Sequence, residues 1–365
     1  MRGKFGLLAT ISFCLAACEG EQGQPAAIAT PELIAEGLPA DIARAVSRRN
    51  SEIRKVSSQS LRGFNPNYVI RQIRAWPAGE VVTVAFNGGS PQLRAQIEQT
   101  AKSWTAPGIA NINLSFRHAD GRFREWSTSD RQYAAVIRIG FAIDEENGGQ
   151  WSAVGFDSRD PTLFPPDRQS MNLHGFDRVL PGDWATTVIH EFGHAIGFEH
   201  EHQSPAGGCD FRFEDDPGYI ATQNAEGWFI IDRNGRRPGL YTYYGGPLNN
   251  WSRDRVDLNM RQLASSSAFL VGPFDRRSIM LYAFHPFMFQ SGAESRCYVP
   301  RDATQISQQD RLGASTVYPA ADNAVRNAFR ERLSTFDALV RSESLSAEAK
   351  SSIRQRRDAV AQAAQ

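Results

Sequence analysis

The chain is short of cysteine, has no excess of either charge, and has no apolar run long enough to cross a bilayer. Only 4 of its 365 residues are cysteines, and Cys14 and Cys18 sit at the extreme N-terminus. A disulfide-stapled miniature fold is therefore excluded. Cys209 and Cys297 are left to form one bridge or to remain two buried thiols. Lys+Arg and Asp+Glu both number 40 and no long basic run occurs, so nucleic acid is not an expected partner. The chain contains no Gly-x-Ser-x-Gly pattern, the usual mark of a serine nucleophile on a strand-to-helix elbow. Internal repeats and low-complexity tracts are lacking too. What remains is an ordinary globular composition, long enough for one large or two modest domains.

The N-terminus carries a targeting pattern. Arg2 and Lys4 form a positive start, and Phe5 to Leu15 is apolar but too short for a membrane helix. Leu15-Ala16-Ala17-Cys18 resembles the bacterial lipobox, in which the cysteine is acylated and becomes the mature terminus; an ordinary cleaved signal is the alternative. The resemblance implies an exported, lipid-anchored protein whose only membrane contact is Cys18, and Glu19 favours the outer membrane. Small, polar residues from Glu19 to Pro31 have the composition of a tether. Up to Trp76 the chain reads as a linker, a packed arm or a pro-segment, with a helix-like piece from Asp41 to Val56.

Clearer signals begin at Val81-Val82-Thr83-Val84-Ala85-Phe86, a β-branched run closed by Asn87-Gly88-Gly89. Ser90 then caps a helix with Pro91 at its first position, and Leu93, Ile97, Ala101 and Trp104 recur at helical spacing. Strand-like runs cover 112–116, 135–141, 151–156 and 170–173, and a second helix runs from Asp183 to about Gly197. This order predicts an α+β fold with a mixed, twisted sheet and two helices in an N-terminal lobe. The long Gly-, Pro- and Asn-rich stretch beyond Gly197 predicts an irregular C-terminal lobe. Ser307-Gln308-Gln309-Asp310 is a capping box for a short helix to Tyr318, with Asp310 a capping residue. From Asn323 a stripe of Val325, Phe329, Leu333, Phe336 and Val340 marks an amphipathic tail. It can dock on the body, pair with a second helix beyond Ser346, or bind a partner.

The chemistry sits in His190-Glu191-Phe192-Gly193-His194-Ala195-Ile196-Gly197-Phe198-Glu199-His200. Histidines four apart on a helix share a face and can reach one ion. Gly197 lets the chain leave the helix at positive φ, so that His200 returns as a third ligand. Three nitrogen ligands leave a coordination position for water, which is a catalytic arrangement rather than a structural one. One Zn2+ is the expected cofactor, with Glu191 as general base and then acid in peptide-bond hydrolysis. Among the other histidines, His202 has the wrong spacing for a ligand and reads as solvated or as a neighbour behind the ligands. His118, His174 and His285 read as ordinary surface or core residues.

The extended pattern, followed by Ser278-Ile279-Met280-Leu281-Tyr282, resembles the metzincins, whose signature ends in a methionine-bearing turn. That resemblance implies a zincin fold in which Met280 supports the histidines without binding metal. Among metzincins the chain is similar to the astacins. Glu201 follows His200, Tyr282 follows Met280 at two residues, and Gly149 to Gly155 looks like their substrate-binding edge strand. The likeness implies that Tyr282 is a fifth ligand at rest which swings to hydrogen-bond the oxyanion. It also implies that Trp151, Ser152, Ala153, Val154 and Gly155 bind extended substrate backbone. The chain departs from the astacin pattern at Leu281, Gln150 and His202 to Pro205, and lacks a recognisable aspartate-bearing pro-segment.

The resulting organisation is a signal over 1–18, a linker or arm over 19–76, a metzincin-like catalytic domain over 77–320 and a helical tail over 321–365. A catalytically idle, metzincin-like surface lipoprotein acting as a binding module is the competing expectation, and a cell-wall amidase a third. Intact Glu191 argues against the idle reading, and the absence of a wall-binding repeat against the third. Protein or peptide is the expected substrate.

Overall fold

The computed structural model describes residues 37–56, 73–144, 149–262 and 273–363; Cys18 and the rest of the signal and tether lie outside them. The strand β1 (Val81–Phe86) lies second from one edge of the sheet, between β2 (Asn113–Ser115), the edge strand, and β3 (Ile137–Gly140) at the centre. Beyond β3 come β5 (Met171–Asn172) and, at the edge, β4 (Trp151–Ser152), giving the order β2-β1-β3-β5-β4. All pairs are parallel except β4 with β5. A mostly parallel sheet needs cover on both faces, and the alternation along β1 supplies it. Val82, Val84 and Phe86 face the main core, whereas Ala85 packs with Trp126 and Ala135 on the opposite side.

Two helices cover the main-core face. In α2 (Pro91–Ala101) the Ser90 hydroxyl accepts the Leu93 N–H at 3.1 Å, and Pro91 occupies the first turn, where its missing N–H costs nothing. Leu93, Ile97 and Ala101 form the buried stripe, continued by Trp104, whose indole N–H donates to Ile189 O at 2.7 Å. That bond fixes α2 to the histidine-bearing helix α3 (Trp184–Ala195). Each fully buried large apolar side chain in this layer contributes about 1.5–3 kcal/mol.

The C-terminal lobe carries α4 (Leu240–Gly245) and α5 (Arg253–Met260) around an aromatic core that includes Phe211, Trp228, Tyr243, Trp251, Phe284 and Phe289. Cys209 and Cys297 are bridged there, their Cα atoms 5.3 Å apart. After α6 (Gln308–Val317), opened by the expected capping box, the tail forms two helices, α7 (Asp322–Arg341) and α8 (Ala347–Ala363). Phe329, Phe336 and Leu339 of α7 pack with Ala349, Ile353 and Val360 of α8 and with Ile53 and Val56 of α1 (Ala40–Lys55). Docking on the body and pairing with a second helix thus both occur.

One element is shorter than its sequence suggests. The strand expected from Trp151 to Phe156 ends after Ser152, because Gly155 at φ 55° starts a 3-10 turn through Arg159. The five residues Trp151 to Gly155 are buried, with Trp151 and Ala153 packed against Ile42 and Val46 of α1. None of the described helices is long and apolar enough to cross a membrane.

Candidate metal centre

His190, His194 and His200 bring one ring nitrogen each within 4.8 Å of one another, and no other such group occurs among the described residues. Helical spacing stacks the first two on one face of α3. The third arrives through the turn that ends that helix. Gly197 at φ 101° donates its N–H to His194 O at 2.8 Å, and Phe198 N–H returns to Gly193 O at 3.0 Å. This double reversal is the Schellman C-cap, which an L-residue at Gly197 would strain. It also orients a ligand, since Phe198 O accepts a hydrogen bond from His194 Nδ1 at 2.7 Å.

The methionine turn does the same for His190, whose Nδ1 lies 2.7 Å from Ile279 O. With Nδ1 donating to a carbonyl in both rings, each Nε2 keeps its lone pair, the tautomer a metal needs. The Nε2 atoms of His194 and His200 approach to 3.1 Å, and Tyr282 OH lies 2.8 Å from His190 Nε2. A set of imidazole donors converging in this way, two of them with the outer nitrogen tied to backbone, fits a zinc ion. Glu191 is 1 % exposed on the same helix, beside the first histidine.

Met280 packs against Gly193 of α3, the residue before His194. A Cβ on Gly193 would collide with Met280 Sδ and press on Trp104, so glycine is required there by close approach rather than by dihedral angle. Asp310 does more than cap α6. Its carboxylate accepts Ser278 Oγ at 2.7 Å and Ile279 N–H at 3.0 Å, which anchors the methionine turn to that helix. Both contributions escaped the sequence reading, although Asp310 was visible as a cap. His202 is the buried neighbour of the two expected alternatives. It is 2 % exposed, its ring is stacked on His200 with centroids 5.0 Å apart, and Nε2 meets Asn259 O at 2.8 Å. Burial pushes the Glu201 carboxyl up to about 7, with Asp275 N–H opposing the shift and the charge of Asp310 adding to it.

A helix with two histidines, a glycine turn to a third, and a methionine turn packed against that helix together make a three-histidine metal centre. No protein-family model matches the chain. Over 101 residues it is 30% identical to astacin-like metalloprotease toxin 5 of Loxosceles gaucho, a stretch covering 28% of this chain and 36% of that protein. The aligned stretch therefore spans little more than a third of that relative. Among solved structures, the chain is similar to myroilysin at 28% identity and a TM-score of 0.49, over 68% of this chain and 97% of that one. High choriolytic enzyme 1, a hatching enzyme zinc-protease from Oryzias latipes, gives 16% identity and a TM-score of 0.35 over 66% and 90%. Over those 101 residues the chain is similar to an astacin-like metalloprotease.

Proposed function

We propose that the protein is a zinc-dependent endopeptidase acting on extended polypeptide, with one ion held by His190, His194 and His200. The observation that carries this reading is the convergence of three Nε2 donors, two of them with the outer nitrogen tied to backbone. Zinc at this site would supply Lewis acidity, enough to bring the pKa of a water from 15.7 to about 7. Glu191 takes the proton from the water that attacks the peptide carbonyl and returns it to the leaving amine. Tyr282, at hydrogen-bond distance from the histidine cluster, donates its O–H to the oxyanion. Met280 and Gly197 hold the ligands in place. Export and anchoring through Cys18 would place this activity outside the cytoplasm.

The test is metal content and casein cleavage of the purified protein, beside a Glu191→Ala variant and a chelated sample. The reading expects about one zinc per chain. It also expects cleavage to fall by about 100-fold or more in Glu191→Ala with the metal retained, and to vanish on chelation. Zinc binding without cleavage of any protein substrate would favour the idle binding module; absence of zinc binding would end the proposal.

A further inference from the structure

The arm α1 and the tail helices α7 and α8 take no part in the chemistry above, yet α1 and α8 converge on one buried carboxylate. Asp157, 2 % exposed, receives Arg49 Nη1 of α1 at 2.6 Å, Arg74 Nε at 3.0 Å and Arg356 Nη1 of α8 at 2.9 Å. Arg356 also reaches Asp160 at 2.7 Å. Arg74 faces two ways, because its other guanidinium nitrogen pairs with Glu199, the residue before the third histidine. Three guanidiniums are thus matched by the three carboxylates of Asp157, Asp160 and Glu199. Burial alone would raise the Asp157 carboxyl, but Arg49, Arg74 and Arg356 overcome it and hold the group well below the usual carboxylate range.

The same helices grip the backbone of residues 73–76. Arg356 donates to Ile73 O at 2.9 Å, and Arg332 of α7 donates to Trp76 O at 2.8 Å and to Ala75 O. Trp76 passes the connection on. Its indole N–H donates to Ala195 O at 2.8 Å, at the end of α3, and its backbone N–H reaches Tyr318 OH at 3.3 Å. The Tyr318 hydroxyl in turn donates to Ile196 O. From the tail to the glycine turn, and to Glu199 beside His200, each step is a hydrogen bond, an ion pair or a peptide bond.

His190 and His194 are aimed by the helix that carries them. His200 sits in extended backbone, at φ −64° and ψ 137°, after a left-handed glycine. Its position must come from what holds the loop. Apolar packing alone would suffice to dock a helical hairpin, and a buried ion network is seldom the more stabilising choice. What a network of fixed guanidinium forks supplies is geometry.

We propose that Arg74 and Asp157 are positioning residues for the third metal ligand, and that α1, α7 and α8 form a brace that aims them. The proposal rests on the metal-centre reading. Residues that orient metal ligands from behind typically change metal affinity by about 10–100-fold, so breaking the brace should show in zinc binding before it shows in folding.

The experiment uses the full chain, stripped of metal. Zinc affinity is measured by competition with a chromophoric chelator, and amide hydrogen exchange is followed across 196–203, in wild type, Glu199→Gln, Arg356→Ala and Arg356→Lys. Glu199→Gln removes the tie next to the ligand but leaves Asp157 its three arginines, so it keeps the test valid should Arg356→Ala fail to fold. Expected are zinc binding weaker by about tenfold and faster exchange confined to 196–203 in Glu199→Gln and Arg356→Ala, with partial recovery in Arg356→Lys. Wild-type affinity and exchange in a folded Glu199→Gln would overturn the brace, as would exchange that rises equally in β1 and α2. A wild type that binds zinc but cuts no peptide would refute the endopeptidase and leave these readouts to decide the brace. A wild type that binds no zinc overturns both.

Discussion

The histidine-bearing segment is held from two sides by opposite means. Beneath α3 the contact is apolar and tight, with Met280 and Trp104 against Gly193. At the far end of the segment the contact is ionic, running from Glu199 through Arg74 to Asp157. The two ligands that ride on a helix rest on the apolar floor, and the one that leaves the helix is tied by charge. Packing fixes a rigid rod adequately, since a helix has few ways to sit in a shaped groove. A loop has many, and directional bonds are needed to select one.

Replacing Asp157 by Ala is the strongest way to break this comparison. It takes the carboxylate partner from Arg49 and one of two from Arg74 and Arg356, and should cost about 3–5 kcal/mol in denaturant unfolding. Acid probes the same side. The Asp157 pKa is depressed on folding, so its stabilisation is complete above the unfolded value of about 3.9 and drains away as pH falls toward the folded one. Thermal midpoints of wild type should therefore fall more steeply between pH 4 and 2 than those of Asp157→Asn. The apolar floor should respond instead to volume. Gly193→Ala forces a Cβ onto Met280 Sδ and should cost about 1–3 kcal/mol, part of which a second change, Met280→Ala, should recover in a double-mutant cycle. The mildest probe is Ser307→Ala, which removes the cap of α6 and should cost about 1 kcal/mol, read as a small drop in thermal midpoint with the metal site intact.

The floor was legible in the sequence and the ionic side was not. Helical periodicity from Leu93 to Trp104, the Ser90 cap and the His190 to His200 spacing are local signals, and each matches the structure within a residue or two. The capping box at Ser307 was equally plain, because both partners lie within four residues. Asp157, Arg49, Arg74 and Arg356 look like any other surface charges in a chain with 40 of each sign. Only their meeting, across sequence separations of 83 to 199 residues, makes them a unit, and no local pattern encodes that. His202 fell between these cases, since spacing excluded it as a ligand but could not tell solvent from a stacked ring. The edge strand was over-extended because Val154 and Phe156 suit a strand, and the turn at Gly155 depends on packing from elsewhere.

The bond from Arg356 to Ile73 joins residues 283 positions apart, and this bears on when the molecule becomes competent rather than on how it is held. Ribosomes and export channels deliver a chain from its N-terminus. The helix α3 and the methionine turn can assemble while the remainder is still being threaded, whereas the support behind His200 waits for α8 to emerge. Loops of that span close slowly. A metal centre assembled in this order has its last ligand set only after α8 has been made.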